Sequence, residues 1–462
     1  MKITIENFGP IHKFELDLSK NISLIYGKNN IGKSYAISVV YMLLKSFPKM
    51  TKKSDLESAI RKYTSNIRAL RTENLPGPKK PDSEELHSRV NAIIVELLND
   101  WIPEKLKLYL KSSYGDLKNV KNMLSEGFGQ IYLEENSLSF RFILWENLDA
   151  GGRIGEVKTA RKYFIDKELT VENIESICNT ILKDFFRSIR LFTTSFYYIP
   201  AVRSGIYLAL SNLGSIIAKI NQYQGVIGAQ SFILPNTTVP ISDFYITISD
   251  KLAFADEDGL NYKSVVDKIE KNILGGSVQI DKDSGRILYF SHKLQHKFDL
   301  SQVSSMVSDL SIISVYLKFI IKDFVTGDDF DGEANLTVGV YPTLLIEEPE
   351  AHLHPEAQLK LMEYFVELSK LGIKIIMTTH SDYMFNKMGN QILARKIKVE
   401  DTGSYLLEMK EQGSVCSKRK MQPKANGIVD GNFYKATEKL YTERIKQNDK
   451  YYERLDRKNP KP

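Results

Sequence analysis

The sequence predicts an α/β fold: a mixed sheet with flanking helices, an antiparallel β element at its N-terminus and a mainly helical insertion. Three observations predict it. Short apolar runs at 22–26, 341–348 and 373–380 end abruptly in glycine, carboxylates or a histidine. The amphipathic stretch PEAQLKLMEYFVELSKL, 355–371, joins the last two runs by short links, the pattern of a strand–helix–strand unit in a parallel sheet. A glycine-rich turn, 27–34, separates the first run from an apolar segment of helical spacing.

Taken in order, KITIENF alternates apolar and polar residues, Gly9-Pro10 breaks the pattern, and FELDL resumes it, giving two short strands around a turn. ISLIY, 22–26, is a buried strand and 34–46 a buried helix. The character then changes. Residues 51–75 are basic and polar, PGPKKP is a linker or loop, and 83–113 read as helix, with Leu86, Val90, Ile93, Ile94, Leu97 and Leu98 at three- and four-residue spacing. IYLEENSLSFRFILW, 131–145, reads as a hairpin and 171–190 as helix, before strands return at FYYIPAV, 196–202. The chain therefore divides into 1–46 and 191–416, two halves of one head; 47–190, a mainly helical insertion with a β-hairpin; and 417–462, a basic tail. No internal repeat stands out, and no heptad pattern is sustained enough for a long coiled coil.

The 462 residues are 42% hydrophobic and 26% charged, ordinary values for a globular chain of two to four domains or one with a large insertion. No apolar run reaches the ~18 residues of a membrane helix, and the first residues lack the basic-then-apolar pattern of a secretory signal. Cys178 and Cys416 stand alone, so a cytoplasmic, reducing location without membrane contact is expected. The net charge of +6 is uneven: 417–462 hold 13 Lys/Arg and 6 Asp/Glu, a balance of +7, which leaves −1 for the rest. A basic tail suits nucleic acid or an acidic partner, or is simply a solvated helix.

Gly27-Lys28-Asn29-Asn30-Ile31-Gly32-Lys33-Ser34 fits the phosphate-binding pattern G-x-x-x-x-G-K-[ST], with a strand before it and a helix after it; these residues and Tyr35 are the expected ATP-binding residues. Glycines let backbone N–H groups converge on phosphates, and the helix N-terminus favours their charge. Lys33 would bridge the β- and γ-phosphates of ATP, and Ser34 would ligate Mg2+. In LLIEEPE, 344–350, carboxylates emerge at the carboxyl end of a buried strand, where ligands sit in open α/β sheets. Glu347 is expected to hold the Mg2+ shell and Glu348 to orient or deprotonate the attacking water.

IEEPEAHLHPEAQ, 346–358, TTHSDY, 378–383, and the opening KITIENFGPI with GKNNIGKS resemble the ABC-type ATPase heads of the RecF, SMC and OLD families, and most of all stand-alone OLD-like bacterial ATPases, several of which serve in antiphage defence. The resemblance covers roughly 1–46 and 190–400. It implies an ABC-type P-loop head that binds ATP and Mg2+ and hydrolyses ATP between two copies. It places His380 as the switch histidine at the γ-phosphate and Ala351 to Pro355 on the loop that crosses the dimer interface. Arg203, in YIPAVRSG, either faces the nucleotide or partner, or is structural. His352 and His354 form an H-x-H pair without a further ligand cluster.

The resemblance also implies a signature acting in trans, for which LSQVSSMVSDL, 300–310, is the candidate. Ser304 and Ser305 are suited to cap the following apolar helix, but Met306 stands where glycine is expected, which points to slow or partner-dependent hydrolysis. Asp449, Glu453 and Asp456 are spread among lysines and form no nuclease-like acidic cluster. The expected partners are a second copy or a higher homo-oligomer, a separate nuclease or toxin effector, and nucleic acid through the tail or the insertion. The favoured role is sensor or scaffold ATPase of an antiphage system. A RecF/SMC-like repair or chromosome-maintenance ATPase and a nucleotide-binding scaffold with little turnover are the alternatives. Phe433, Leu440, Tyr441 and Ile445 are spaced so that the tail's first helix could instead pack on the head.

Overall fold

The computed structural model describes chiefly residues 1–50, 106–135, 138–145, 155–159, 195–211, 238–252, 262–321 and 342–458, except 128, 282–283, 418–419 and 431–432. The basic stretch 51–75, the linker or loop 76–81, the expected helix at 171–190 and most of that at 83–113 lie outside these residues; 106–114 are helical.

β1 (Lys2–Phe8) and β2 (Ile11–Asp17) pair antiparallel around Gly9-Pro10, and β3 (Ile22–Tyr26) leads through the glycine turn into α1 (Lys33–Met50). β4 (Gly129–Glu135) and β5 (Leu138–Trp145) form the expected hairpin. Two features of it were not foreseen. β4 also pairs antiparallel with β1, and β6 (Gly155–Thr159) adds to β5. Strands from within the insertion thus widen the N-terminal β element.

β7 (Phe196–Ile199) stops at Pro200, and α2 (Arg203–Ser211) follows. Then come α3 (Val239–Leu252) and α4 (Lys263–Ile269), which runs into a π-helical turn, Glu270–Leu274. β8 (Gly276–Ile280), β9 (Ile287–Ser291) and β10 (His296–Asp299) make a small antiparallel sheet beside α5 (Ser305–Val315) and the π-helical turn Tyr316–Ile320. β11 (Thr343–Glu347), α6 (Pro355–Lys370) and β12 (Lys374–Thr378) are the expected parallel strand–helix–strand unit. α7 (Asp382–Leu393), β13 (Thr402–Lys410), β14 (Gly413–Cys416), the short pair β15 (Pro423–Lys424) and β16 (Gly427–Ile428), and α8 (Tyr434–Lys458) complete the described chain.

Among the described residues the main sheet has eleven strands in the order β6-β5-β4-β1-β2-β14-β13-β3-β12-β11-β7. Its β6-to-β2 half is antiparallel, while β13, β3, β12, β11 and β7 run parallel. This is the α/β fold the sequence predicts. Strand periodicity divides the core: Ile25, Leu345 and Ile376 face α1, whereas Leu24, Leu344, Ile346, Ile375 and Met377 face the layer of α5, α6 and α7. β3, β12 and β11 all deliver their carboxyl ends to one edge of the sheet.

Candidate functional site

The glycine turn is fixed by close approach. Gly27 has φ +148° and Gly32 φ +95°; a Cβ on Gly27 would stand 2.7 Å from the Leu407 carbonyl oxygen, and one on Gly32 2.7 Å from Pro10 Cγ. The β1–β2 turn therefore walls the glycine turn on one side. Lys33, the first residue of α1, is buried, and its ammonium donates to the carbonyls of Gly27 at 3.1 Å and Lys28 at 2.9 Å. Burial lowers its pKa, opposed by Glu348, Glu350 and Glu347.

Ser34 Oγ donates to Glu347 Oε2 at 2.7 Å, and the Tyr198 hydroxyl donates to Glu347 Oε1. Burial raises the Glu347 pKa, and these two hydrogen bonds hold it back. Glu348 leaves the strand with φ +42°, and its N–H donates to the Thr378 carbonyl at 3.0 Å. That turn carries the side chain away from the sheet, where Glu348 Oε1 and His380 Nε2 lie 3.5 Å apart and both are half-exposed. His380 is held below the ordinary imidazole value first by burial and then by Lys33, so it is neutral near pH 7. Its backbone N–H and the Thr379 hydroxyl each donate to Glu350 Oε1 at 2.7 Å. Glu350 is itself buried, which raises its pKa, and Oε2 has no hydrogen-bond partner among the described residues.

The structure thus brings Lys33, Ser34, Glu347, Glu348 and His380 to one edge of the sheet. Ser304 and Ser305 lie elsewhere. They are exposed at the start of α5, Ser304 Oγ caps the Val307 N–H, and no hydrogen bond among the described residues joins them to the glycine turn. His354 caps α6, and His352, at φ +61°, places Nδ1 2.7 Å from Asp309 Oδ2.

Arg203 resolves in favour of structure. It is wholly buried, and its guanidinium donates to the carbonyls of Glu347 at 3.1 Å, Glu348 at 3.4 Å, Pro200 at 3.4 Å and Asp309 at 3.3 Å. Sequence reasoning passed over Tyr198, Glu350 and Asp309. Tyr198 read as one aromatic of an apolar strand, and Glu350 as the end of a motif. Tyr35 was placed among the nucleotide-binding residues; it is 41% exposed beside the turn, over Gly9, and stacks with Tyr114 at 6.2 Å and 9°.

These residues fit a nucleoside triphosphate and its metal. Gly27 and Gly32 leave a cradle that a Cβ would fill, Lys33 offers a buried cation, and Ser34 with Glu347 is a pair of hard oxygen donors suited to Mg2+.

Solved structures give loose overlaps. The SMC head bound to the C-winged helix domain of ScpA aligns with TM-score 0.38 and 12% identity, over 94% of this chain and 98% of that one. The SMC head domain from Thermotoga maritima aligns with TM-score 0.32 and 11% identity, over 90% and 97%. An SMC head domain with an extended coiled coil, bound to the C-terminal domain of ScpA derived from Pyrococcus furiosus, gives 0.38 and 12%, over 96% and 98%. At this level the likeness bears no weight on function. No curated protein matches the chain. The family model described as AAA ATPase domain does match, over residues 1–385, and its span takes in the glycine turn, the strand-end carboxylates and His380 that the fold gathers at one edge. The chain belongs to the AAA ATPase domain family.

Proposed function

We propose that this ATPase works as an ABC-type head. Gly27 to Ser34 cradle the phosphates of ATP, Lys33 neutralises their charge, and Ser34 with Glu347 holds Mg2+, which when bound supplies charge neutralisation at the phosphates. Glu348 positions and deprotonates the attacking water, with His380 beside it as sensor of the γ-phosphate. Tyr35, backed by Tyr114, offers the base a flat aromatic face. The observation that carries this reading is the Ser34–Glu347 hydrogen bond, because it sets the loop hydroxyl against the strand-end carboxylate that shares the metal. The exposed start of α5, with Ser304 and Ser305, then serves the site of a second copy in a homodimer or larger homo-oligomer.

At the level of biology, the reading is a sensor or scaffold ATPase of an antiphage system, acting on a separate nuclease or toxin. Its support is the resemblance of EEPEAHLHP and TTHSDY to OLD-like ATPases. The RecF/SMC-like repair reading stands beside it, favoured by the exposed, lysine-bearing helix α8, which could meet nucleic acid. Two substitutions test the chemistry. Lys33→Ala is expected to abolish ATP binding by calorimetry, and Glu348→Gln to bind ATP normally while turning over at least ~100-fold more slowly, the lower end of what a positioned base contributes. Unchanged affinity in the first, or wild-type turnover in the second, removes the assigned role. Purification with neighbouring gene products separates the biological readings: a toxic partner supports defence, whereas DNA binding by the chain alone supports repair.

A further inference from the structure

α8 is 25 residues long, about 37 Å at 1.5 Å per residue. Its root is fixed: Phe433 packs against Phe385 at 5.7 Å and Tyr26 at 6.5 Å. Beyond that, every residue of 434–454 whose surroundings are described is exposed. Leu440 is 68%, Tyr441 67%, Ile445 44% and Tyr452 62% exposed, so the packing of Leu440, Tyr441 and Ile445 on the head that their spacing allowed does not occur. Most helical stability in proteins comes from packing an apolar face, and no described residue covers this one.

The exposed face is ordered. At 100° per residue, Tyr434, Tyr441, Ile445, Asn448 and Tyr452 fall in a stripe about 60° wide, and Lys435, Lys439, Lys446 and Lys450 point to the other side. The stripe follows a heptad for three turns of the pattern: Tyr434, Tyr441 and Asn448 at d, Ile445 and Tyr452 at a. Glu438 also falls at a, which weakens the seam near the head. In this register Arg444 is at g and Asp449 at e. Two helices side by side in parallel place g of one against e of the next heptad in the other, so Arg444 meets Asp449 twice across the seam. Asn448 then meets its own counterpart, a polar pair that fixes register. An antiparallel pair sets Arg444 against Tyr451 and Asp449 against Thr442, and leaves Asn448 against Ile445.

We infer that α8 pairs with α8 of a second copy as a short parallel coiled coil, a dimer contact that needs no nucleotide. A polyanion would use the lysine face and leave the aromatic stripe in water; a second copy covers the stripe and leaves the lysines outside. This contact does not rest on the ATP-dependent pairing proposed above.

The test is the mass of the full chain without nucleotide, by sedimentation velocity across micromolar concentrations, with and without Lys33→Ala. A dimer is expected in both. Ile445→Asp is expected to give monomer. Arg444→Asp and Asp449→Arg, each placing like charges across the seam, are expected to weaken the dimer tenfold or more, and the double swap to restore it. Because these side chains stand clear of the head, ATP affinity of the α8 variants by calorimetry stays at the wild-type value and serves as the folding control. A chain that is monomeric at all concentrations, a dimer indifferent to Ile445→Asp, or a double swap no better than either single change overturns the inference. So does a monomer whose retention on heparin is lost on Lys446→Glu with Lys450→Glu, which would assign the helix to a polyanion instead.

Discussion

Glu347 is gripped at both oxygens, by Ser34 from the phosphate-loop helix and by Tyr198 from the neighbouring strand. Only the first grip is to a residue that could share a metal, so Tyr198 acts as a positioning residue, holding the carboxylate in one rotamer and favouring its charged form. Tyr198→Phe removes a hydrogen bond to an ionised group, worth about 1.5–3 kcal/mol. The Glu347 pKa, already raised by burial, is expected to rise further, so the acid limb of the pH–rate profile moves to higher pH by up to about two units at ~1.4 kcal/mol each. The measurement is kcat against pH from 5 to 8; a profile that drops uniformly without shifting would mean that the ring, and not the hydroxyl, matters. Glu350 plays a comparable part for His380, through the backbone N–H and Thr379.

At the scale of elements, Arg203 staples α2 to the end of β11 and to α5, and through Asp309 it reaches the loop of His352. Arg203→Met leaves carbonyls and Asp309 buried without their cation, and is expected to cost about 3–5 kcal/mol of stability in chemical denaturation. Preserved stability with lost ATP affinity would instead place the guanidinium at the nucleotide. The elements differed in how well the sequence announced them. The glycine turn, the strand–helix–strand unit and the carboxylates at 347–348 were legible because their constraints are local: positive φ, period two, a capped helix. Tyr198, Arg203 and Asp309 act through contacts more than 100 residues away, which no spacing encodes. The hairpin at 131–145 was legible as a hairpin, but its docking on β1 was not, since either edge of β1 presents the same unpaired backbone groups.

Across the whole molecule, the site strains the fold that carries it. Burial raises the pKa of Glu347 and Glu350, so the folded chain favours their protonated forms; this contribution is fully present below the ordinary carboxylate value and is lost as pH rises through the folded values. His380 has the opposite sign: its contribution is present above pH ~6.5 and is lost as pH falls through its lowered value. The melting temperature without nucleotide is therefore expected to rise as pH falls through the raised carboxylate values toward the ordinary one, with His380 acting against that rise below pH ~6.5. Calorimetry on Glu347→Gln with Glu350→Gln checks it, since a slope that survives both changes has another source. The sheet imposes a further condition, on synthesis. β3, which ends in the phosphate loop, is hydrogen-bonded on one side to β12 and on the other to β13. About 350 residues separate it from the nearer of them. At ~5–20 residues per second, a ribosome needs roughly 20–70 s to deliver those neighbours. For that interval ISLIY is an apolar strand with two open edges on a nascent chain, so the segment that later grips the nucleotide is the one a holdase chaperone has most reason to meet first.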